Sequence, residues 1–148
     1  MLNRYLLTLV VFLLASSCFA QKVLQSVTIK QNGCKGTCPM YNITINKDGS
    51  VIYEGKRYCD SIGTYKMNIG IKNAKAILIK LEKNKILSLP DSYPMKIADL
   101  PSFSYHVNTK TKEKSIIRAN YGPKFLSTTK KDVEALIKKY KWIKQDVS

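Results

Sequence analysis

The stretch Gly33-Cys34-Lys35-Gly36-Thr37-Cys38-Pro39-Met40-Tyr41-Asn42-Ile43-Thr44-Ile45-Asn46-Lys47-Asp48-Gly49-Ser50-Val51-Ile52-Tyr53-Glu54-Gly55 decides how the rest of the chain is read. Tyr41, Ile43 and Ile45 alternate with Asn42, Thr44 and Asn46, the period-two pattern of a strand with one buried face. Val51 and Tyr53 resume the alternation beyond Asp48-Gly49. A two-residue turn there would set Ile45 opposite Ile52 and send Val51 and Tyr53 to the polar face. A three-residue loop, with Gly49 in the left-handed region that glycine tolerates, pairs Ile45 with Val51 and Ile43 with Tyr53. A one-residue slip reverses every side chain, so only this register keeps the apolar residues together. Glu54-Gly55-Lys56 reads as the next turn. It feeds a third strand between Arg57 and Met67, running on to Ile69 with a bulge or bend at Gly63.

Cys34 and Cys38 precede the ribbon. An extended chain would hold them roughly 13 Å apart, whereas a disulfide needs Cα atoms within about 7 Å. A bond between them requires the chain to fold back, which Gly33 and Gly36 permit. So short a loop would stabilise the fold by roughly 2 kcal/mol in the chain-entropy model. With Cys34 and Cys38 bonded, Cys59 is left as a buried thiol; the rival pairing joins Cys59 to one of the other two.

The pattern Gly33-Cys34-x-Gly36-x-Cys38-Pro39-x-Tyr41, followed by Asp48-Gly49 and Tyr53-x-Gly55, resembles domain-of-unknown-function family 6438, whose members are small exported bacterial domains. The resemblance continues through Leu89-Pro90-Asp91-Ser92-Tyr93, Asp99-Leu100-Pro101 and Trp142-Ile143. It implies export and a small domain fold and carries no assigned activity. Cys59 departs from the family pattern, as does the longer stretch between Pro123 and the last helix.

At the amino terminus Arg4 precedes the apolar run Leu6–Leu14, and Cys18-Phe19-Ala20 gives a small-x-small cleavage site before Gln21. Residues 1–20 therefore read as a signal peptide and residues 21–148 as one α+β domain, periplasmic or secreted. The run is too short for a membrane span. The alternative is lipidation of Cys18, although Leu14 sits one position too early for a well-formed lipobox.

Val23 to Lys30 reads as a strand. Ala74, Ile77, Leu78 and Leu81 fall at helical spacing with lysines opposite, and Asn73 is the available cap. Three prolines break the segment from Ile86 to Pro101. Phe103, Tyr105 and Val107 form a strand whose hairpin partner, Ser115 to Tyr121, aligns Ile117, Ala119 and Tyr121 inward. Gly122-Pro123 ends it. Thr129 and Asp132 have capping-box spacing ahead of the stripe Val133, Leu136, Ile137, Tyr140, and Trp142 with Ile143 anchors that helix's end. The expected architecture is a single antiparallel β-sheet with two amphipathic helices packed on one face.

The chain carries 25 basic and 10 acidic side chains, and all but three of the basic ones are lysine. Losing residues 1–20 removes Arg4 and no acid. Base-specific readout and bidentate phosphate contacts favour arginine, and export places the chain away from the genome, so nucleic acid is not assigned as a partner. Lys130, Lys131, Lys138, Lys139 and Lys141, with Lys144 beyond them, crowd the last helix and would attract an anionic envelope surface in a salt-dependent way. Membrane contact is expected only through that surface or a lipid on Cys18.

No nucleophile motif, phosphate-binding glycine loop or cofactor fingerprint is present, so no cofactor and no catalytic residue are assigned. Cys34, Cys38, Cys59 and His106 are ligand types suited to zinc, but an oxidising compartment competes for the thiols and no metal is assigned. The candidate pocket is Asp91, Tyr93 and Asp99 in the proline-broken loop with His106, the single histidine. The leading functional expectation is a non-catalytic exported domain binding a partner protein or anionic surface through its open sheet face or basic helix. The alternatives are a small hydrolase using Asp91, Asp99 and His106, or a proteinaceous enzyme inhibitor.

Overall fold

The computed structural model describes residues 23–94 and 100–145. The expected signal peptide, Cys18 and Asp99 lie outside them. The strands are β1 (Leu24–Gln31), β2 (Met40–Asn46), β3 (Ser50–Arg57), β4 (Gly63–Asn68), β5 (Phe103–Thr109), β6 (Glu113–Ile116) and β7 (Ile143–Lys144). The helices are α1 (Ile71–Lys83) and α2 (Lys124–Ile137). The strands form one antiparallel sheet in the order β6-β5-β1-β2-β3-β4-β7.

The central ribbon has the register its apolar residues demand: Ile45 faces Val51 and Ile43 faces Tyr53. Gly49 closes the three-residue loop at φ +93°, and a Cβ there would also lie 2.6 Å from the backbone of Gly70. Neighbouring strands carry the same face outward, with Val27 opposite both Ile45 and Val107, and Ile29 opposite both Ile43 and Tyr105. Ala74, Leu78 and Leu81 of α1 and Leu126, Val133 and Ile137 of α2 complete this core. Burying each aliphatic side chain stabilises the fold by roughly 1.5–3 kcal/mol relative to leaving it exposed.

The other face of the sheet is uncovered by helices and polar. Thr28 and Thr44 share a hydroxyl hydrogen bond of 2.9 Å, Asn42 donates to Glu54 at 2.7 Å, and His106 Nδ1 lies 2.8 Å from Ser115 Oγ. These cross-strand pairs satisfy one another across the strands.

Several boundaries differ from expectation. Glu54-Gly55-Lys56 lies inside β3, and the reversal comes at residues 58–62, where Tyr58 adopts φ +53°. A Cβ on Gly55 would stand 1.8 Å from the carbonyl oxygen of Ser61, so the glycine lets this loop fold back against β3. Helix α1 starts at Ile71 behind Gly70 without a side-chain cap; Asn73 instead donates to the Ile69 carbonyl and the Tyr140 hydroxyl, each at 2.8 Å.

The second hairpin turns Ile116 inward in place of Ile117, which is 49% exposed. Arg118 at φ +56° then leads into a 3-10 turn over Ala119–Tyr121 that still buries Ala119. Helix α2 begins at Lys124 after Pro123, five residues before the expected cap. Thr129 consequently lies mid-helix and buried. Trp142 does anchor the helix end, its indole donating to the Ile137 carbonyl at 2.9 Å, while Ile143 is exposed in β7.

Candidate functional site

Where β1 leaves the sheet and β2 enters it, four segments meet at one end of the helix-bearing face. Gln31 closes β1, Pro39 and Tyr41 open β2, Tyr58–Ser61 follow β3, and Pro101 precedes β5. Helix α2 roofs them with Lys130, Glu134, Ile137 and Lys138, leaving a cavity of about 550 Å³. Its floor is aromatic. Tyr41 stacks on Tyr53 with ring centroids 5.7 Å apart, and Trp142 lies 4.6 Å from Tyr53 and 5.9 Å from Tyr65.

A polar cluster is set into this apolar wall. The Tyr41 hydroxyl donates to Glu134 Oε1, and Lys130 Nζ donates to the same carboxylate and to Tyr41 Oη at 3.1 Å. Lys130 and Glu134 are four residues apart on α2, the spacing that lets opposite charges meet on a helix. The ammonium also stands 5.6 Å from the ring centroids of both Tyr41 and Phe103. Burial, then the bond to Glu134 and the charge of that carboxylate, pushes the Tyr41 phenol well above its ordinary value of 10.0. Burial likewise raises Tyr53, helped by a hydrogen bond with the Cys59 thiol. Both phenols stay neutral donors at any ordinary pH.

The charges lining the cavity are Asp60, Lys130, Glu134 and Lys138, two of each sign. This local balance stands against a formal net charge of +15 for the whole chain. The arrangement can offer a flat ring stacking surfaces below and donors and acceptors at the side. Lys130, expected on the basic outer face, is therefore turned inward, its side chain only 14% exposed. Lys131, Lys138, Lys139, Lys141 and Lys144 are exposed.

Cys34 and Cys38 form a disulfide with Cα atoms 5.6 Å apart, and Cys59 is a free thiol. Cys59 Sγ donates to the carbonyls of Met40 at 3.0 Å and Arg57 at 3.2 Å. Cys38 and Cys59 both line the cavity. With Cys34 and Cys38 bonded to each other and His106 paired on the open face, the four zinc-type ligands are not gathered into one set.

Asp91 and Tyr93 brace the far edge of the sheet. Ser92 pairs in parallel with Ile117; the Ile117 amide donates to the Asp91 carbonyl at 2.8 Å, and the Tyr93 amide donates to the Ile117 carbonyl at 3.1 Å. Arg118 Nε donates to the Tyr93 carbonyl at 2.7 Å. Lys114 Nζ donates to Asp91 Oδ1 at 2.6 Å and holds that carboxyl below its ordinary range. His106 pairs instead with Ser115, next to Lys114 in β6, and its Nε2 lies 3.6 Å from Glu113. Successive strand residues point to opposite faces, so Asp91 and His106 stand on opposite sides of β6 and are not brought together.

Sequence reasoning puts Tyr41 and Tyr53 on the inward strand face, Trp142 at the helix end and Lys130 on the surface, and so misses the cavity they share. The one signal the sequence offers is the i, i+4 spacing of Lys130 and Glu134. Among the described residues no helix is long and apolar enough to cross a membrane. No curated protein and no solved structure matches the chain. A family model described as Domain of unknown function (DUF6438) matches residues 25–141, and the chain belongs to that family.

Proposed function

We propose that this is an exported binding domain that takes a small ligand into the aromatic cavity roofed by α2. The observation that carries the reading is the charge-balanced cluster of Tyr41, Lys130 and Glu134 set into a wall of stacked rings. Concave, largely apolar sites with a few convergent polar groups are the usual form of small-ligand sites. Balanced charge selects a neutral or zwitterionic ligand with a flat apolar face and a hydrogen-bonding edge. The apolar run after Arg4, the small-x-small site at Cys18–Ala20 and the disulfide support export.

The chain has one tryptophan, and it stands in the cavity wall, so intrinsic fluorescence reports occupancy directly. The experiment is capture of small molecules from an envelope extract on the immobilised protein, with mass spectrometric identification and titration of each hit by Trp142 emission. Retention by the native chain that is lost in Tyr41→Ala and kept in Lys139→Ala supports the reading. Hits that ignore Tyr41→Ala, or no retained molecule, remove it.

The exposed lysines favour a second reading, attachment to anionic envelope polymers or lipid. Lys131 and Lys138 lie seven residues apart on one side of α2, with Lys139 and Lys141 following. Binding to vesicles containing anionic lipid should then fall steeply between low and high salt. Binding that is absent, or unchanged by salt, excludes it.

A further inference from the structure

Cys34 and Cys38 are bonded to each other, and Cys38 and the free Cys59 line one cavity. Met40 pairs with Arg57 across β2 and β3. The ladder ends there, with Cys38 two residues before Met40 and Cys59 two residues beyond Arg57. The thiol of Cys59 is held at this end of the ribbon by the carbonyls of Met40 and Arg57, and both sulfur-bearing residues face the same cavity. The Cys59 thiol, hydrogen-bonded to the Met40 carbonyl, is thus held only two residues along the chain from Cys38, and a disulfide needs Cα atoms within about 7 Å.

We infer that Cys59 exchanges with the Cys34–Cys38 disulfide, giving the domain a second covalent state in which Cys38 is bonded across the ribbon to Cys59. In the exchange the Cys59 thiolate attacks Cys38 Sγ. The Cys38–Cys59 bond forms, the Cys34–Cys38 bond breaks, and its electron pair leaves on Cys34. Cys59 gives a proton to solvent and Cys34 takes one up, so the step needs no oxidant or reductant.

The exchange frees the knuckle at Cys34 and ties the 58–62 loop to the start of β2, redrawing one wall of the cavity. It does not require that the cavity bind anything.

The test uses the oxidised full chain without its signal segment, incubated anaerobically at mildly alkaline pH, with and without a trace of reduced glutathione. The samples are acid-quenched, alkylated, digested without reduction and mapped by mass spectrometry. The expected result is a linked Cys38–Cys59 peptide with alkylated Cys34, making up at least a tenth of the protein at equilibrium. Recovery of Cys34–Cys38 with fully alkylated Cys59 at every time point overturns the inference. In Cys34→Ser, shown to be folded by circular dichroism, mild oxidation should give a monomer without free thiol. Two alkylatable thiols, or only intermolecular crosslinks, would equally overturn it.

Discussion

Gly55 faces the carbonyl of Ser61 so closely that a methyl group cannot be added without moving the 58–62 loop. Overpacking of this kind costs about 1–3 kcal/mol. Gly55→Ala should therefore lower the urea midpoint correspondingly and make Cys59 alkylate faster, because that loop carries Cys59; an unchanged midpoint would mean the loop yields freely. The Lys130–Glu134 pair invites a second single-residue test. Glu134 is 25% exposed on its side chain and Lys130 14%, so neither charge is fully hydrated. Removing one partner leaves the other underpaired, which costs more than removing both. Glu134→Leu should destabilise by about 2 kcal/mol, and adding Lys130→Met should recover most of that loss. Additive losses in the double variant would show that the two side chains act independently.

Helix α2 gives a prediction that separates two readings of one residue. As a cap, Thr129 would contribute about 1 kcal/mol through its side-chain oxygen. In the structure it lies inside the helix, buried, with Oγ1 unpaired. Thr129→Val keeps the shape and removes a desolvated hydroxyl, so it should raise stability by about 1 kcal/mol. A loss of that size, measured by denaturant unfolding, would restore the capping role. The same helix shows what the sequence can convey. Its apolar stripe at Val133 and Ile137 was legible, because helical periodicity is local. Its start was not: Pro123 begins the helix without a side-chain cap, and Thr129 with Asp132 mimicked the usual signal. The β2–β3 register was legible because only one pairing joins the apolar residues. The β5–β6 register was not, since Ile116 and Ile117 are adjacent and equally apolar. The left-handed Arg118, which turns the chain after them, carries no glycine to announce it. The cavity was hidden for a further reason. Its walls come from separated segments of the chain, and Lys130 belongs to a lysine-rich stretch that reads as a solvated outer face.

At the scale of the whole molecule, the buried phenols make stability depend on pH from the alkaline side. Tyr41, Tyr53 and Tyr105 all have pKa values raised above 10.0, in each case first by burial. Glu134 adds to the rise at Tyr41 and also at Tyr105, whose hydroxyl donates to the Leu126 carbonyl at 2.8 Å. A folded-state pKa raised above the unfolded one means that the unfolded chain releases its proton first as pH rises. The stabilisation is then complete below the unfolded value near 10 and is lost progressively above it. Urea midpoints should accordingly be flat between pH 7 and about 9 and fall steeply beyond about 10. The three phenols tie β2, β3 and β5 to the floor beneath α2, so the fall should appear as one cooperative loss of sheet and helix signals. Tyr53→Phe removes one titrating group while keeping its ring against Trp142, and it should make the decline shallower. A midpoint that stays level to pH 11, or a Tyr53→Phe profile with the parent's slope, would show that these phenols are not held neutral by the fold.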